Sequence, residues 1–154
     1  MGEKVKEAEG VGQQSGRGPG PGLEEIAAIL RDSRVVAVVG LSPDPSRPSY
    51  QVARYLKEHG YRIVPVNPGC SQVLGEQCYP SLQDIPFAID VVDIFRKAEA
   101  IPAIVEEAIR VQARVVWMQL GLEHEEAARR ARERGLQVVM NRCLKIEHEA
   151  RAGR

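Results

Sequence analysis

The stretch "RVVAVVGLSPDPSRPSYQVARYLKEHGYRIVPVNP", residues 34–68, decides the fold. Val35–Val39 is a continuous apolar run, the pattern of a strand buried on both faces. Gly40 follows, then a small polar loop. A helix is expected over residues 48–59, because proline suits a first turn whose N–H has no intrahelical acceptor, and Val52, Ala53 and Leu56 form an inner stripe. Gly60 can end that helix, and Arg62–Val66 is a second apolar strand. Strand, glycine loop, helix and strand are how a nucleotide-binding βαβ unit begins.

The alternation continues on both sides. Upstream, Leu23, Ile26, Ala27 and Leu30 keep a helical period, for a short helix ending near Asp32 and Ser33. Downstream, strands are expected at residues 89–95, 114–118 and 136–140, with helices over 99–112 and 123–134. Residues 67–86 are too broken for a long helix and should hold a short extended piece near Val73 and Leu74 and one helical turn near 81–84. Five β-runs separated by helices imply an α/β fold with a mainly parallel sheet and right-handed crossovers. Residues 1–22 hold half of the chain's 14 glycines, including "GRGPGPG", and few apolar residues; they are expected to form a disordered tail. The domain is then expected over residues 23–148, followed by a short C-terminal tail at 149–154.

Composition narrows the function classes. Lys plus Arg and Asp plus Glu number 21 each, and zero net charge argues against nucleic acid or an anionic membrane as a bulk electrostatic partner. There is no apolar run of the roughly 20 residues that a membrane span requires. No apolar segment follows Met1 as in a signal peptide, and Lys6 stands where a myristoylation motif has Ser or Thr, so a cytoplasmic location is expected. The three cysteines, Cys70, Cys78 and Cys143, lack CxxC spacing, and the histidines His59, His124 and His148 show no metal-ligand spacing; free thiols and no metal site are expected.

In parallel sheets of this kind ligands sit beyond the carboxyl ends of the strands. The loop after the first strand, "GLSPDPSRPS", offers Gly40 for close backbone approach, the Ser42 hydroxyl, and the N–H groups that open the next helix as an anion site. It is not an NAD fingerprint, because GxGxxG would need glycine at Ser42 and Pro45. Nor is it a Walker loop, because Pro45 and Ser46 occupy the Gly-Lys places. After the second strand, "PVNP" puts Asn67 where an NAD site has the acid that grips a ribose diol, which favours a phosphorylated adenosine. Phe95 and Arg96, after the third strand, supply an apolar surface for a base and a cation for phosphate. Asp90 and Asp93 on that strand have no arrangement suited to catalysis. Cys143 in "NRCLKIEH" has no legible histidine partner and reads as a buried, inert thiol.

Taken together, "VAVVGLSPDPSRPSYQVARYLKEHGYRIVPVNP", "VLGEQCYPSLQDIP", "DVVDIFRK", "VVWMQLG" and "VVMNRCLKIEH" resemble the small standalone CoA-binding proteins of bacteria and archaea. Their single domain is similar to the N-terminal CoA-binding domain of the succinyl-CoA synthetase α subunit. The resemblance implies a Rossmann-like, three-layer αβα domain with a five-stranded sheet that holds coenzyme A at its carboxyl edge. Carried over by residue, it implies a phosphate loop of Gly40, Leu41 and Ser42 with Arg47 nearby. Val66, Asn67 and Pro68 would surround the adenosine, Phe95 and Arg96 the third-strand side, and Gln119 and Gly121 the fourth. The ligase's lysine after the second strand is replaced here by Gly69 and Cys70, and its phosphorylated-histidine domain has no counterpart. The resemblance therefore implies a binder of CoA or an acyl-CoA without catalytic residues of its own, acting as carrier, sensor or regulatory module, with a homodimer or a protein partner left open. The alternatives are an acyl-CoA-dependent enzyme using Cys143 or a partner subunit, and, more remotely, an NAD-linked redox sensor.

Overall fold

The computed structural model describes residues 20–152. The tail expected at 1–22 lies outside them except for its last three residues, which lead without regular structure into helix α1, Leu23–Asp32. Strand β1, Val35–Val39, runs into helix α2, Pro48–Glu58, and strand β2, Arg62–Val66. A small hairpin follows, β3 Gln72–Val73 and β4 Glu76–Gln77, and then a 3-10 turn, Leu82–Asp84. The rest alternates: β5 Val91–Ile94, α3 Ile101–Arg110, β6 Val115–Met118, α4 Glu125–Glu133, β7 Gln137–Val139 and α5 Leu144–Arg151.

Five strands form one parallel sheet in the order β2-β1-β5-β6-β7. Strand side chains alternate between its two faces. On β1, Val36 and Val38 pack beneath α1, α2 and α5, and Ala37 and Val39 beneath α3 and α4. Burial on both sides explains why these strands read as unbroken apolar runs. The product is a three-layer, Rossmann-like α/β fold. The chain reverses its winding between β1 and β5, which opens a crevice at their carboxyl ends.

Several expected boundaries move. β1 and β2 keep their expected ranges, whereas β5, β6 and β7 are shorter than the runs expected at 89–95, 114–118 and 136–140. The helix expected from residue 99 begins as a 3-10 turn, Ala98–Ala100, and becomes α-helical at Ile101, with Pro102 tolerated in its first turn. The extended piece near Val73 is one arm of a hairpin whose turn, Leu74 (φ 56°) and Gly75 (φ 76°), lies in the left-handed region typical of two-residue hairpin loops. The largest correction is at the C-terminus. Residues 144–151, divided between the expected domain end at 148 and the expected tail, form α5, which crosses that boundary. Its period is weak because Leu144 is its one fully buried apolar residue, while ion pairs along its length, such as Glu147 to Arg151 (3.0 Å), support it instead.

Candidate functional site

The loop after β1 is built by its own side chains. Gly40 has φ +91°, and its N–H donates to the Val66 carbonyl (2.9 Å), so the chain turns away between β2 and β5. Leu41 is buried as an anchor, and its carbonyl accepts a bond from Asn67 Nδ2 (2.9 Å). The Ser42 N–H donates to Ser49 Oγ (3.0 Å), and Ser42 Oγ accepts from the Asp44 N–H (3.0 Å). Hydrogen bonds from the Ser46 N–H and hydroxyl turn the Asp44 carboxylate into its own loop and hold its pKa below the usual range. Helix α2 then starts at Pro48 with no side-chain cap, so the N–H groups of its first turn remain available to an anion.

A cavity of about 1330 Å³ opens over this loop at the carboxyl edge. Gly40, Ser42 and Arg47 line it from the first loop, Pro48 and Ser49 from the start of α2, Asn67 from the end of β2, Phe95, Arg96 and Lys97 from the end of β5, and Gln119 from the end of β6. Leu120, Leu122, Cys143 and Ile146 add to the wall, together with Pro43, Val52, Ala100 and one carboxylate, Glu99. Arg47, Arg96 and Lys97 are exposed, and none has an ion-pair partner among the described residues. The mouth is apolar: Leu120 is 62% exposed and Ile146 52%.

Of the eleven residues singled out in the sequence, Gly40, Ser42, Arg47, Asn67, Phe95, Arg96 and Gln119 meet in this one cavity. Leu41 lies beneath it in the core. Val66 and Pro68 line a second cavity of about 220 Å³, which also touches Gly40 and Arg96. Gly121 lines neither and instead donates its N–H to Asn141 Oδ1 (2.7 Å). The residues expected at the site did not include Ser49, Lys97 or Ile146, and Cys143 entered only as the nucleophile of the enzyme alternative. Lys97 directly follows Arg96 and was within reach of the same argument; Cys143 stands in the loop after β7, and Ile146 reaches the cavity from the first turn of α5.

The "NRCLKIEH" run resolves into separate structural tasks. Asn141 holds the Gly121 turn, the Arg142 carbonyl accepts from Trp117 Nε1 (2.8 Å), and the Arg142 guanidinium pairs with Glu147 (3.1 Å). His148 Nδ1 meets the Tyr55 hydroxyl (2.7 Å), joining α5 to α2. Cys143 is half-buried rather than fully buried, since it precedes the first turn of α5 on the cavity wall.

Asp90, just before β5, and Asp93, within it, differ sharply. Asp90 accepts from the N–H groups of Arg34 and Val35 (2.9 Å each) and faces Arg114 (3.5 Å). Burial opposes its ionisation, but those bonds and Arg114 outweigh it and hold the carboxyl below its usual pKa. Asp93 sits mid-strand between Val38 and Trp117 with no exposed surface, and neither carboxyl oxygen has a hydrogen-bond partner. Burial pushes its pKa well above the usual range.

A doubly wound sheet with a cation-bearing cavity at its switch point defines the class of nucleotide-cofactor folds. Residues 34–149 match the CoA binding domain family, and the chain belongs to that family. The uncharacterized protein YneT of Bacillus subtilis is 41% identical over 128 residues, 83% of this chain and 95% of that protein. The ADP-forming acetate–CoA ligase II of Archaeoglobus fulgidus is 36% identical over 83 residues, 51% of this chain and 12% of the ligase. A solved structure, a hypothetical protein from Pyrococcus horikoshii OT3, matches with a TM-score of 0.83 at 46% identity, covering 85% of this chain and 92% of its own. The chain is thus homologous both to small standalone proteins of this family and to the CoA-binding region of a much larger ligase.

Proposed function

We propose that this protein binds coenzyme A, or an acyl-CoA, in the carboxyl-edge cavity and acts as a carrier, sensor or regulatory module without catalysis of its own. The observation that carries this reading is the convergence of three cations that have no ion-pair partner among the described residues, Arg47, Arg96 and Lys97, with the open first turn of α2 on a single cavity. Coenzyme A presents a pyrophosphate and a 3′-phosphate, and arginine meets phosphate oxygens in pairs. The end of β2 fits the same ligand. Asn67 is neutral and is engaged with Leu41 and Gly69, so the end of β2 carries no carboxylate to select a bare ribose diol. Phe95, Leu120 and Ile146 give the less polar parts of the ligand an apolar surface. Bound coenzyme A would supply a thiol or thioester, and the residues of this chain would hold and orient it. Mass spectrometry of ligand released from protein purified without added cofactor tests the reading: coenzyme A or an acyl-CoA is expected, and a nicotinamide dinucleotide in its place would overturn it.

One observation favours a second reading. Cys143 lies on the cavity wall, so an acyl group could pass from a bound thioester to its sulfur. Incubation with acetyl-CoA separates the two readings, because a binding module leaves the Cys143 mass unchanged whereas an acyl-transfer enzyme leaves an acetyl thioester on it.

A further inference from the structure

The hairpin after β2 brings two thiols together. Cys70 and Cys78 flank β3 and β4, whose register pairs Gln72 with Gln77 and Val73 with Glu76. Below that pair the Cys78 N–H donates to the Ser71 carbonyl (2.9 Å), and the two Sγ atoms stand 3.5 Å apart. Both cysteines are free. The hairpin base is fixed to the sheet: the Asn67 N–H donates to the Tyr79 carbonyl (3.0 Å) and the Tyr79 N–H to the Pro65 carbonyl (2.9 Å). Lys57 of α2 pairs with Glu76 at the far end (3.0 Å). The sulfurs are therefore held as neighbours by backbone bonds, 3.5 Å apart against a disulfide bonding distance of about 2.0 Å.

We infer that Cys70 and Cys78 are a dithiol that closes reversibly to an intramolecular disulfide by exchange with a low-molecular-weight disulfide. Cys70 is the attacking residue, because it is partly exposed while Cys78 is buried. Burial, reinforced by the neighbouring Cys70, pushes the Cys78 thiol up to about 12, so Cys78 is not the residue that attacks first. The Cys70 thiolate attacks one sulfur of the small disulfide, whose S–S bond breaks, and the first half departs as a thiolate that takes up the proton Cys70 released. Cys78 then gives up its proton and attacks Cys70 Sγ. The protein disulfide forms, the mixed disulfide breaks, and the second half departs and is protonated. Two protein thiols are oxidised by two electrons, and one small disulfide is reduced to two thiols. The closed bond lies beside the cavity, since the Cys70 N–H donates to the carbonyl of Asn67 (3.5 Å).

The test uses the full chain under native conditions. The protein is incubated with glutathione disulfide, the remaining thiols are alkylated, and the chain is cleaved after Glu76 to separate the two cysteines. Wild type should lose two hydrogen atoms in intact mass, give a peptide pair linked through Cys70 and Cys78, and take one alkyl group at Cys143; dithiothreitol should reverse the link. The link should persist in Cys143→Ser, whereas Cys78→Ser should stop at a glutathione adduct on Cys70. If Cys78→Ser fails to fold, the wild-type mass and peptide map decide alone. A lasting glutathione adduct on wild-type Cys70, a link through Cys143, or alkylation of both Cys70 and Cys78 after oxidant would each overturn the inference.

Discussion

Gly40 touches the backbone of Phe95 so closely that a methyl group does not fit between them. A Cβ on Gly40 would stand 2.3 Å from the Phe95 carbonyl oxygen and 2.8 Å from Arg96 Cδ. This contact, across neighbouring strands at the switch point, sets the spacing between the first loop and the β5 end. Gly40→Ala meets both the clash and the positive φ. The backbone conformation alone costs about 1–3 kcal/mol. We expect a lower unfolding midpoint in denaturant and, in whatever fraction folds, weaker ligand binding as Phe95 and Arg96 are displaced. A Gly40→Ala protein as stable as wild type would show that the two strands can separate without cost.

Asp93 makes stability depend on pH. Its pKa in the fold is raised above the ordinary 3.8, so the folded state keeps a proton that the unfolded chain releases. Stability then falls as pH rises from about 4 toward the folded-state pKa, because over that window the folded state binds more protons. Asp93→Asn removes this titration. Chemical denaturation between about pH 3 and pH 8 should find the variant close to wild type at the acid end and more stable at the neutral end. Parallel pH profiles would contradict a buried, unpartnered carboxyl.

Much of the architecture was legible because the strands are buried on both faces and the helices are amphipathic. Val35–Val39, Arg62–Val66 and the stripe of Val52, Ala53 and Leu56 needed only apolar pattern and punctuation. The hairpin was half seen because strands of two residues carry no period, and α5 was missed because ion pairs and one buried leucine support it. The site was legible to the extent that it sits at strand ends. Gly40, Ser42, Arg47, Asn67, Phe95, Arg96 and Gln119 follow strands directly or by one loop, and the sheet gathers them. Ile146 was not, because it belongs to α5, which the apolar pattern does not mark, whereas Cys143, in the loop after β7, entered only as the nucleophile of the enzyme alternative.

Arg96 is exposed on the cavity and unpaired among the described residues, so its charge is available to a phosphate. A hydrogen bond to a charged group contributes about 1.5–3 kcal/mol, roughly ten- to a hundredfold in affinity. Arg96→Ala should weaken coenzyme A by that order in titration calorimetry. Dephospho-CoA distinguishes the contact: its affinity should change much less if Arg96 faces the 3′-phosphate, and equally if it faces the pyrophosphate. Wild-type affinity in a folded Arg96→Ala protein would remove Arg96 from the site.

Asn67→Asp tests the end of β2. The substitution retains an oxygen for the Gly69 N–H (2.8 Å in wild type), loses the donor to the Leu41 carbonyl, and adds a negative charge to the cavity. Coenzyme A should bind about tenfold or more weakly, with the deficit shrinking as salt screens the new charge. An unchanged dissociation constant would place the phosphates away from β2.

The most direct measurement is titration calorimetry of the wild-type protein with coenzyme A and with NAD in one buffer. The chain lacks both the glycine pair and the acidic ribose clamp of an NAD site, and its cavity gathers cations suited to three phosphates. Saturable binding of coenzyme A with no heat from NAD is the predicted result. Binding of NAD as tight as that of coenzyme A, or tighter, would contradict the account.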